Sequence, residues 1–226
     1  MQQAALKLPI KSKEKPNSKG WHVPRIWDSA KPVFVFGGGP SIKGNDYSGL
    51  SHYRSIAANS SFKIGKWIDV CLFGDFGWWD HFGGRENTRS FPGLIVSCNP
   101  AKVFHIIPRV VQVNRGKHVG IDTKTNYIAW NYNTGFAAIN LAYHFGARTI
   151  VLIGFDMKAD GKEKNWHKDY HVDGVRPKPV KGMWKRYMSC VPAIQKDAER
   201  LGVTILNAAP NSAILRWPKV DWRDYL

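Results

Sequence analysis

The stretch Pro32-Val-Phe-Val-Phe-Gly-Gly-Gly-Pro-Ser41 decides how this chain folds. Its apolar half has the length of a strand and ends abruptly at three glycines, a pattern that predicts a buried strand leading into a tight loop. Exposed backbone N–H groups at such a strand end, together with the N-terminus of a following helix, could hold a phosphate or a carboxylate. The spacing matches neither the Gly-x-Gly-x-x-Gly fingerprint nor a Walker P-loop, so a simple tight turn is the alternative.

The rest of the chain alternates between strand and helix patterns. Apolar residues recur at helical spacing from Asn133 to Phe145, and Gly146 then supplies a stop. A second long helix is expected from Met183 to Leu201, kinked or divided at Pro192. This alternation predicts an α/β fold, a Rossmann-like three-layer sandwich with a mainly parallel sheet. The further short apolar segments of strand length are 55–58, 68–73, 94–97, 110–113, 149–153 and 203–206.

Composition indicates a folded, strongly basic protein. The 226 residues include 33 Lys and Arg against 17 Asp and Glu, for a net charge of +16, with 43% hydrophobic residues. We expect a flexible basic arm over residues 1–20 and a single domain over residues 21–226, whose Trp-rich end packs back on it. Three dispersed cysteines and the lack of a transmembrane pattern favour a cytoplasmic protein. The charge favours a polyanionic partner, although a solvated basic surface is the alternative.

Residues 158–181 form a polar, lysine-rich segment that we interpret as a mobile, basic lid. His167 and His171 would share one face of a helix. Asp169 lies between them in the sequence, and Asp173 follows two residues after His171. A zinc hydrolase would need Glu at position 168, which is Lys168, so no obligatory divalent metal is predicted. A general base would need only one of these histidines, oriented by a carboxylate. Ordinary surface histidines are the remaining alternative.

Two carboxylates and an aromatic cluster also stand at predicted strand ends. Asp75 and Asp156 each follow a strand, where α/β proteins place groups that contact ligands, but either could instead cap a helix. The lysines of the lid could neutralise a phosphate. The cluster of Phe73, Phe76, Trp78, Trp79 and Phe82 could stack on a base or a sugar, although core packing is the stronger interpretation.

The order of several short motifs resembles glycosyltransferase family 42, the bacterial CMP-sialic-acid-dependent sialyltransferases. More loosely, it is similar to the pterin pyrophosphokinase-like and flagellin-modification proteins. The motifs that carry the resemblance, in chain order, are Gly37-Gly-Gly-Pro-Ser-Ile-Lys43, Asp46-Tyr47-Ser48, Ala58-Asn59, Asn133-Thr134-Gly135, Ile150-Val-Leu-Ile-Gly-Phe-Asp156, the pair His167 and His171, and Ala209-Pro210-Asn211-Ser212.

The resemblance implies a nucleotide-sugar site. His171 would be the base of an inverting transfer, and Lys158 stands where the family has a tyrosine that contacts the leaving phosphate. Gly38 replaces the family's loop asparagine, and a further family asparagine is replaced around Gly74 and Asp75. The predicted catalytic residues are therefore His171, Lys158 and Asp156, and the predicted substrate-binding residues are Gly37, Gly38, Gly39, Ser41, Asn59, Asp75, Thr134, Gly135, His167, Asn211 and Ser212.

The sequence thus predicts an inverting glycosyltransferase that uses a CMP-sugar-like donor. We expect no cofactor beyond this donor substrate, and an acceptor that is anionic, such as modified DNA or a phosphorylated glycan; an oligomer is compatible with the sequence. One alternative is a pterin-type diphosphotransferase on the same scaffold, which would need ATP and magnesium. The other is a non-catalytic nucleic-acid-binding protein, in which lysines follow the backbone and aromatic side chains stack on bases.

Overall fold

A computed structural model describes residues 20–101, 107–170 and 182–226. The strands are β1 (Val33–Phe36), β2 (Arg54–Ala58), β3 (Val70–Phe73), β4 (Leu94–Ser97), β5 (Val110–Gln112), β6 (Asn114–Arg115), β7 (Tyr127–Ile128), β8 (Thr149–Ile153) and β9 (Thr204–Asn207). The α-helices are α1 (Phe76–His81), α2 (Gly84–Asn87), α3 (Thr134–Phe145), α4 (Met183–Met188) and α5 (Val191–Arg200). The basic arm predicted for residues 1–20 lies outside the described residues, apart from Gly20.

Seven parallel strands form the main sheet, in the order β5-β4-β3-β2-β1-β8-β9, and β6 pairs with β7 in a small second sheet. The predicted α/β fold with a parallel sheet is confirmed. From β1 the chain builds the sheet outward in one direction to β5, and it then returns to place β8 on the other side of β1. Open α/β sheets bind ligands outside the carboxyl ends of the strands where the order reverses. Here that point lies between β1 and β8.

Helix α3 covers the middle of the sheet and is buried along almost its whole length. The side chain of Asn133 caps it by accepting a hydrogen bond from the Phe136 N–H at 3.1 Å. Gly146 ends it with a φ of 120°, a conformation that favours glycine. The helix packs against β1, β2 and β3, so its N-terminus lies at the ligand-binding edge of the sheet. The helix predicted from Asn133 to Phe145 is confirmed.

Of two further helical predictions, the division of the long helix near Pro192 is confirmed and the helix after the glycine loop is not. The helix expected from Met183 to Leu201 is divided into α4 and α5, and the break falls before Pro192. Proline sits in the first turn of α5, where its missing N–H leaves no hydrogen bond unmade. The helix expected after the glycine loop is a three-residue 3-10 turn, Pro40–Ile42. The prediction that a helix N-terminus assists the loop is therefore wrong.

Aromatic side chains close the second face of the sheet. The predicted packing of the C-terminal tail is confirmed, because Trp222 is 8% exposed and lies 4.6 Å from Tyr47 between ring centroids. From the predicted aromatic cluster, Phe73, Trp78 and Trp79 are core residues. Phe76 is exposed. No helix in the described ranges has the length and apolar character needed to cross a membrane.

We predict that His144 makes folding sensitive to acid. Its Nε2 lies 2.8 Å from the Tyr127 carbonyl oxygen, and burial lowers the pKa of His144 below its usual 6.5. The unfolded chain therefore binds this proton more readily, so the stability that neutral His144 supports above about pH 6.5 is lost as the pH falls. The free-energy deficit of His144→Gln, measured by urea unfolding, should be smaller at about pH 5 than at about pH 7.5. An equal deficit at both values would contradict this role.

Candidate functional site

The loops that follow β1 and β8 touch each other directly at the reversal of strand order. The Gly37 N–H donates to the Ile153 carbonyl and the Gly39 N–H donates to the Gly154 carbonyl, both at 2.8 Å. A Cβ on Gly39 would lie 2.6 Å from the Gly154 oxygen and would also collide with the Asp156 carboxylate. The glycines that the sequence singles out are therefore required by the close approach of two strand ends.

Two side chains, partly buried Ser41 and buried Asp156, join the two loops. The Ser41 hydroxyl donates to Asp156 Oδ2 at 2.9 Å, and the Ser41 N–H donates to Oδ1 at 3.3 Å. Asp156 is 5% exposed, and burial raises its pKa while the bonds from Ser41 and the charge of Lys158 oppose that rise. Both carboxylate oxygens are already engaged, so in this structure Asp156 holds the loops in place. Its predicted catalytic role stays a prediction.

A cleft of about 340 Å³ opens beside this pair. Lys158 and Asn211 are exposed where they line it, and the neighbouring Ser212 is buried, with its hydroxyl donating to the Phe155 carbonyl at 2.6 Å. A larger groove of about 600 Å³ is lined mostly by apolar residues of α4, α5 and the segment 213–216, and its described lining includes none of the predicted site residues. We therefore place the candidate site in the smaller cleft, which is lined by Pro40, Ser41, Asp156, Lys158, Ala159, Asp160, Pro210 and Asn211.

The described part of the predicted lid, residues 158–170, rests on the glycine loop. The Trp166 N–H donates to the Gly38 carbonyl at 3.1 Å, and its indole N–H donates to the Ser61 hydroxyl at 3.2 Å. Ser61 in turn donates to the Gly37 carbonyl. The lid thus caps the loop through backbone groups that the glycines leave accessible.

Two ion pairs hold the same segment. Lys43 Nζ lies 2.9 Å from Glu163, and Lys63 Nζ lies 2.7 Å from Asp169. The first pair is largely exposed and contributes little to stability. The second is less exposed, and it helps to lower the pKa of Asp169 despite the opposing effect of burial.

Of the two predicted histidines, only His167 is among the described residues. The side chain of His167 is 6% exposed, and its ring lies 5.3 Å from that of Tyr170. No residue from 157 to 170 is helical, so the helical face expected for His167 and His171 is not seen on the His167 side. His171 itself lies outside the described residues.

A second polar cluster lies farther along the same edge of the sheet, after β2 and β3. The Thr134 hydroxyl donates to Asp75 Oδ2 at 3.4 Å, and the Asn59 amide donates to the Tyr170 hydroxyl at 3.1 Å. Asp75 is exposed, yet desolvation by the surrounding protein raises its pKa, against the effects of Arg115, Thr134 and Asn59. The structure thus brings three predicted site residues, Asn59, Asp75 and Thr134, to one place. Gly135 lies buried beside them.

Arg115 supports this cluster and was not foreseen from the sequence. Its Nη2 donates to the Gly74 carbonyl at 2.8 Å and its Nε donates to the Cys98 carbonyl at 3.1 Å. Its guanidinium lies 3.8 Å from the Trp130 ring centroid.

Ser61, Trp166 and Tyr170 were also missed. They lie in the loop after β2 and in the lid, and only the tertiary fold shows that they meet.

Within the described ranges, no three His, Cys, Asp or Glu side chains are grouped so that they could hold a metal ion.

We predict that Gly39→Ala destabilises the protein and closes the candidate cleft. Its new methyl group would meet the Gly154 carbonyl and the Asp156 carboxylate, so we expect a loss of about 1–3 kcal/mol in the free energy of unfolding, measured with urea. The matched control is Gly77→Ala in α1, where the nearest atom outside the helix backbone is 3.9 Å away. Equal stability of the Gly39→Ala and Gly77→Ala variants would refute the steric argument.

Comparison with known proteins places this geometry in context. No protein-family model and no curated protein of known function matches the sequence. Solved structures of the sialyltransferase CstII from Campylobacter jejuni do match the fold. The complex with cytidine-5'-monophosphate has a TM-score of 0.51 and 14% identity, covering 86% of each chain. The complex with CMP-3FNeuAc has a TM-score of 0.51 and 16% identity, covering 84% of this chain and 86% of that one. The chain therefore shares the α/β fold of a bacterial sialyltransferase over most of its length, in agreement with the resemblance that the motif order indicates.

Proposed function

We propose that this protein is an inverting glycosyltransferase that moves a sugar from a nucleotide-sugar donor to an acceptor hydroxyl. The observation that carries the proposal is the cleft at the reversal of strand order, where Ser41, Lys158 and Asn211 are among the residues that line a space of about 340 Å³. Support comes from the fold, which is shared with a sialyltransferase that was solved with CMP bound.

The cleft suits a nucleotide phosphate without a metal ion. Lys158 is exposed at its wall and supplies the positive charge that a leaving phosphate needs. Asn211 offers amide groups that can hydrogen-bond with a nucleobase. A cytidine nucleotide is the first donor to test, because the resemblance to family 42 implies it.

The proposed reaction is a single displacement. His171 would take the proton of the acceptor hydroxyl while that oxygen attacks the anomeric carbon, and the bond from this carbon to the phosphate oxygen breaks on the opposite face. The nucleotide would leave with its new negative charge beside Lys158. A net charge of +16 favours an anionic acceptor, such as a phosphorylated glycan or modified DNA. The comparisons lend no support to the nucleic-acid acceptor, which stays a prediction.

We predict that CMP stabilises the protein without magnesium. At about 100 times its dissociation constant, a ligand should raise the melting temperature of a chain of this size by roughly 5 to 10 °C. Lys158→Ala should weaken CMP binding about tenfold or more, because a hydrogen bond to a charged group is lost. The control is Lys162→Ala, an exposed lid lysine outside the cleft.

Two other results would favour the alternatives. A shift that requires both ATP and magnesium would support diphosphate transfer. A flat response to nucleotides, combined with DNA or RNA binding that weakens steeply with salt, would support a nucleic-acid-binding protein.

We predict separately that His171→Ala slows release of the nucleotide from its donor by about 10²–10⁴-fold, the usual contribution of a general base. The shift with CMP should remain, because a base acts on the acceptor side. His22→Ala, at an exposed histidine far from the cleft in sequence, is the control. Full activity of His171→Ala would remove this histidine from the mechanism.

A further inference from the structure

Asp75 places a carboxylate at the carboxyl edge of the sheet, where it accepts a hydrogen bond from the Thr134 hydroxyl. It occupies the N-cap position of α1, yet its side chain makes no capping hydrogen bond. Ion pairs in the described part of the chain engage Asp69, Asp80, Asp169, Asp197 and Asp221, but not Asp75. The residue is also exposed, so a ligand can reach it.

The position of Asp75 corresponds to the sugar end of a nucleotide sugar. The nucleotide cleft lies between the ends of β1 and β8, and Asp75 follows β3, which is two strands from β1. Neighbouring strands are about 4.8 Å apart, which places Asp75 on the order of 10 Å from the glycine loop. Asn59 follows the intervening strand β2, and Thr134 begins α3 at the same edge. A donor whose phosphate lies at the glycine loop can therefore direct its sugar toward Asp75.

Among the described residues, Arg115 is the cation whose charge acts on Asp75, and its guanidinium is already engaged by the protein. Arg115 uses Nε and Nη2 on two backbone carbonyls and is stacked on Trp130. These contacts fix its guanidinium beneath the loop that carries Asp75. The polar groups that flank the carboxylate are the uncharged side chains of Asn59, Thr134 and Tyr170.

We propose that Asp75 selects a donor whose transferred sugar carries no carboxylate. This inference rests on the proposed function and narrows its substrate class. Sugar hydroxyls can donate hydrogen bonds to the Asp75 carboxylate, whereas a carboxylate on the sugar would meet a like charge at short range. The negative charge of Asp75 also favours the positive charge that develops at the anomeric carbon as its bond to the phosphate breaks. Asp75 thus distinguishes this chain from enzymes that use CMP-sialic acid, whose sugar is itself a carboxylate.

The test compares matched ligands on matched variants. The first ligand pair is CMP with CMP-sialic acid, which adds a carboxylated sugar. The second pair is UDP-glucose with UDP-glucuronic acid, and these two ligands differ only in the oxidation state at C6. The variants are Asp75→Asn and Asp80→Asn, which remove the same charge; Asp80 lies in α1 and pairs with Arg85 at 3.3 Å. Dissociation constants are measured by calorimetry on the full chain, and thermal melts confirm that both variants fold.

The pair to compare is the one whose nucleotide the wild-type protein binds. Within that pair, we expect the wild type to bind the carboxylated ligand at least about tenfold more weakly than the other ligand. Asp75→Asn should reduce that difference by roughly tenfold, and Asp80→Asn should leave it unchanged. Equal binding of both members by the wild type, or an unchanged difference in Asp75→Asn, would overturn the inference. Failure of the proposed function has a different result, namely that none of the four ligands binds the wild-type protein, and the inference then fails with it.

Discussion

The contact between the loop after β1 and the loop after β8 is the constraint on which the rest of the site depends. Backbone hydrogen bonds of 2.8 Å join these loops, and they can form only because no side chain stands at Gly37, Gly39 or Gly154. Gly154 also has a φ of +72°, a conformation that favours glycine. Once the loops meet, Ser41 contacts Asp156, and the Trp166 N–H of the lid donates to the Gly38 carbonyl. The glycines thus determine where the cleft opens and what covers it.

Charges of both signs lie along the cleft, although the composition is strongly basic. Lys158 lines it together with the carboxylates of Asp156 and Asp160. A carboxylate, Asp75, stands two strands farther along the same edge. Between them lie uncharged groups, including Asn59 and Thr134. An anionic group can reach Lys158, but a long polyanion would meet carboxylates along this edge unfavourably.

Much of the fold could be predicted because a buried parallel strand appears in the sequence as a continuous apolar run. The runs 94–97 and 149–153 match β4 and β8 at both ends. The helix break at residues 189–190 was harder to place, because proline is tolerated in the first turn of a helix and marks its start as readily as a kink. The 3-10 turn after the glycines could not be distinguished from a helix start, since both begin with Pro40 in the same way.

The candidate site could be predicted only in part, for a topological reason. Residues within short motifs, such as Gly39 and Ser41, are neighbours in both sequence and space. Arg115 and Tyr170 approach Asp75 only because β3, the small second sheet and the lid converge at one edge, which no local pattern encodes.

Asn59, at the same edge of the sheet, has a left-handed backbone conformation. Its φ of +52° is unusual for a residue other than glycine, and asparagine is among the side chains that tolerate it best. Strain of about 1–3 kcal/mol persists only where surrounding contacts enforce it. Here the amide is held by Tyr170, while its buried Oδ1 has no hydrogen-bond partner among the described residues. A strained residue whose buried acceptor is left unpaired destabilises the protein on its own, and this cost is offset if the acceptor receives a hydrogen bond from a bound ligand. The backbone strain at Asn59 and the exposed carboxylate of Asp75 therefore lie at the same edge of the sheet.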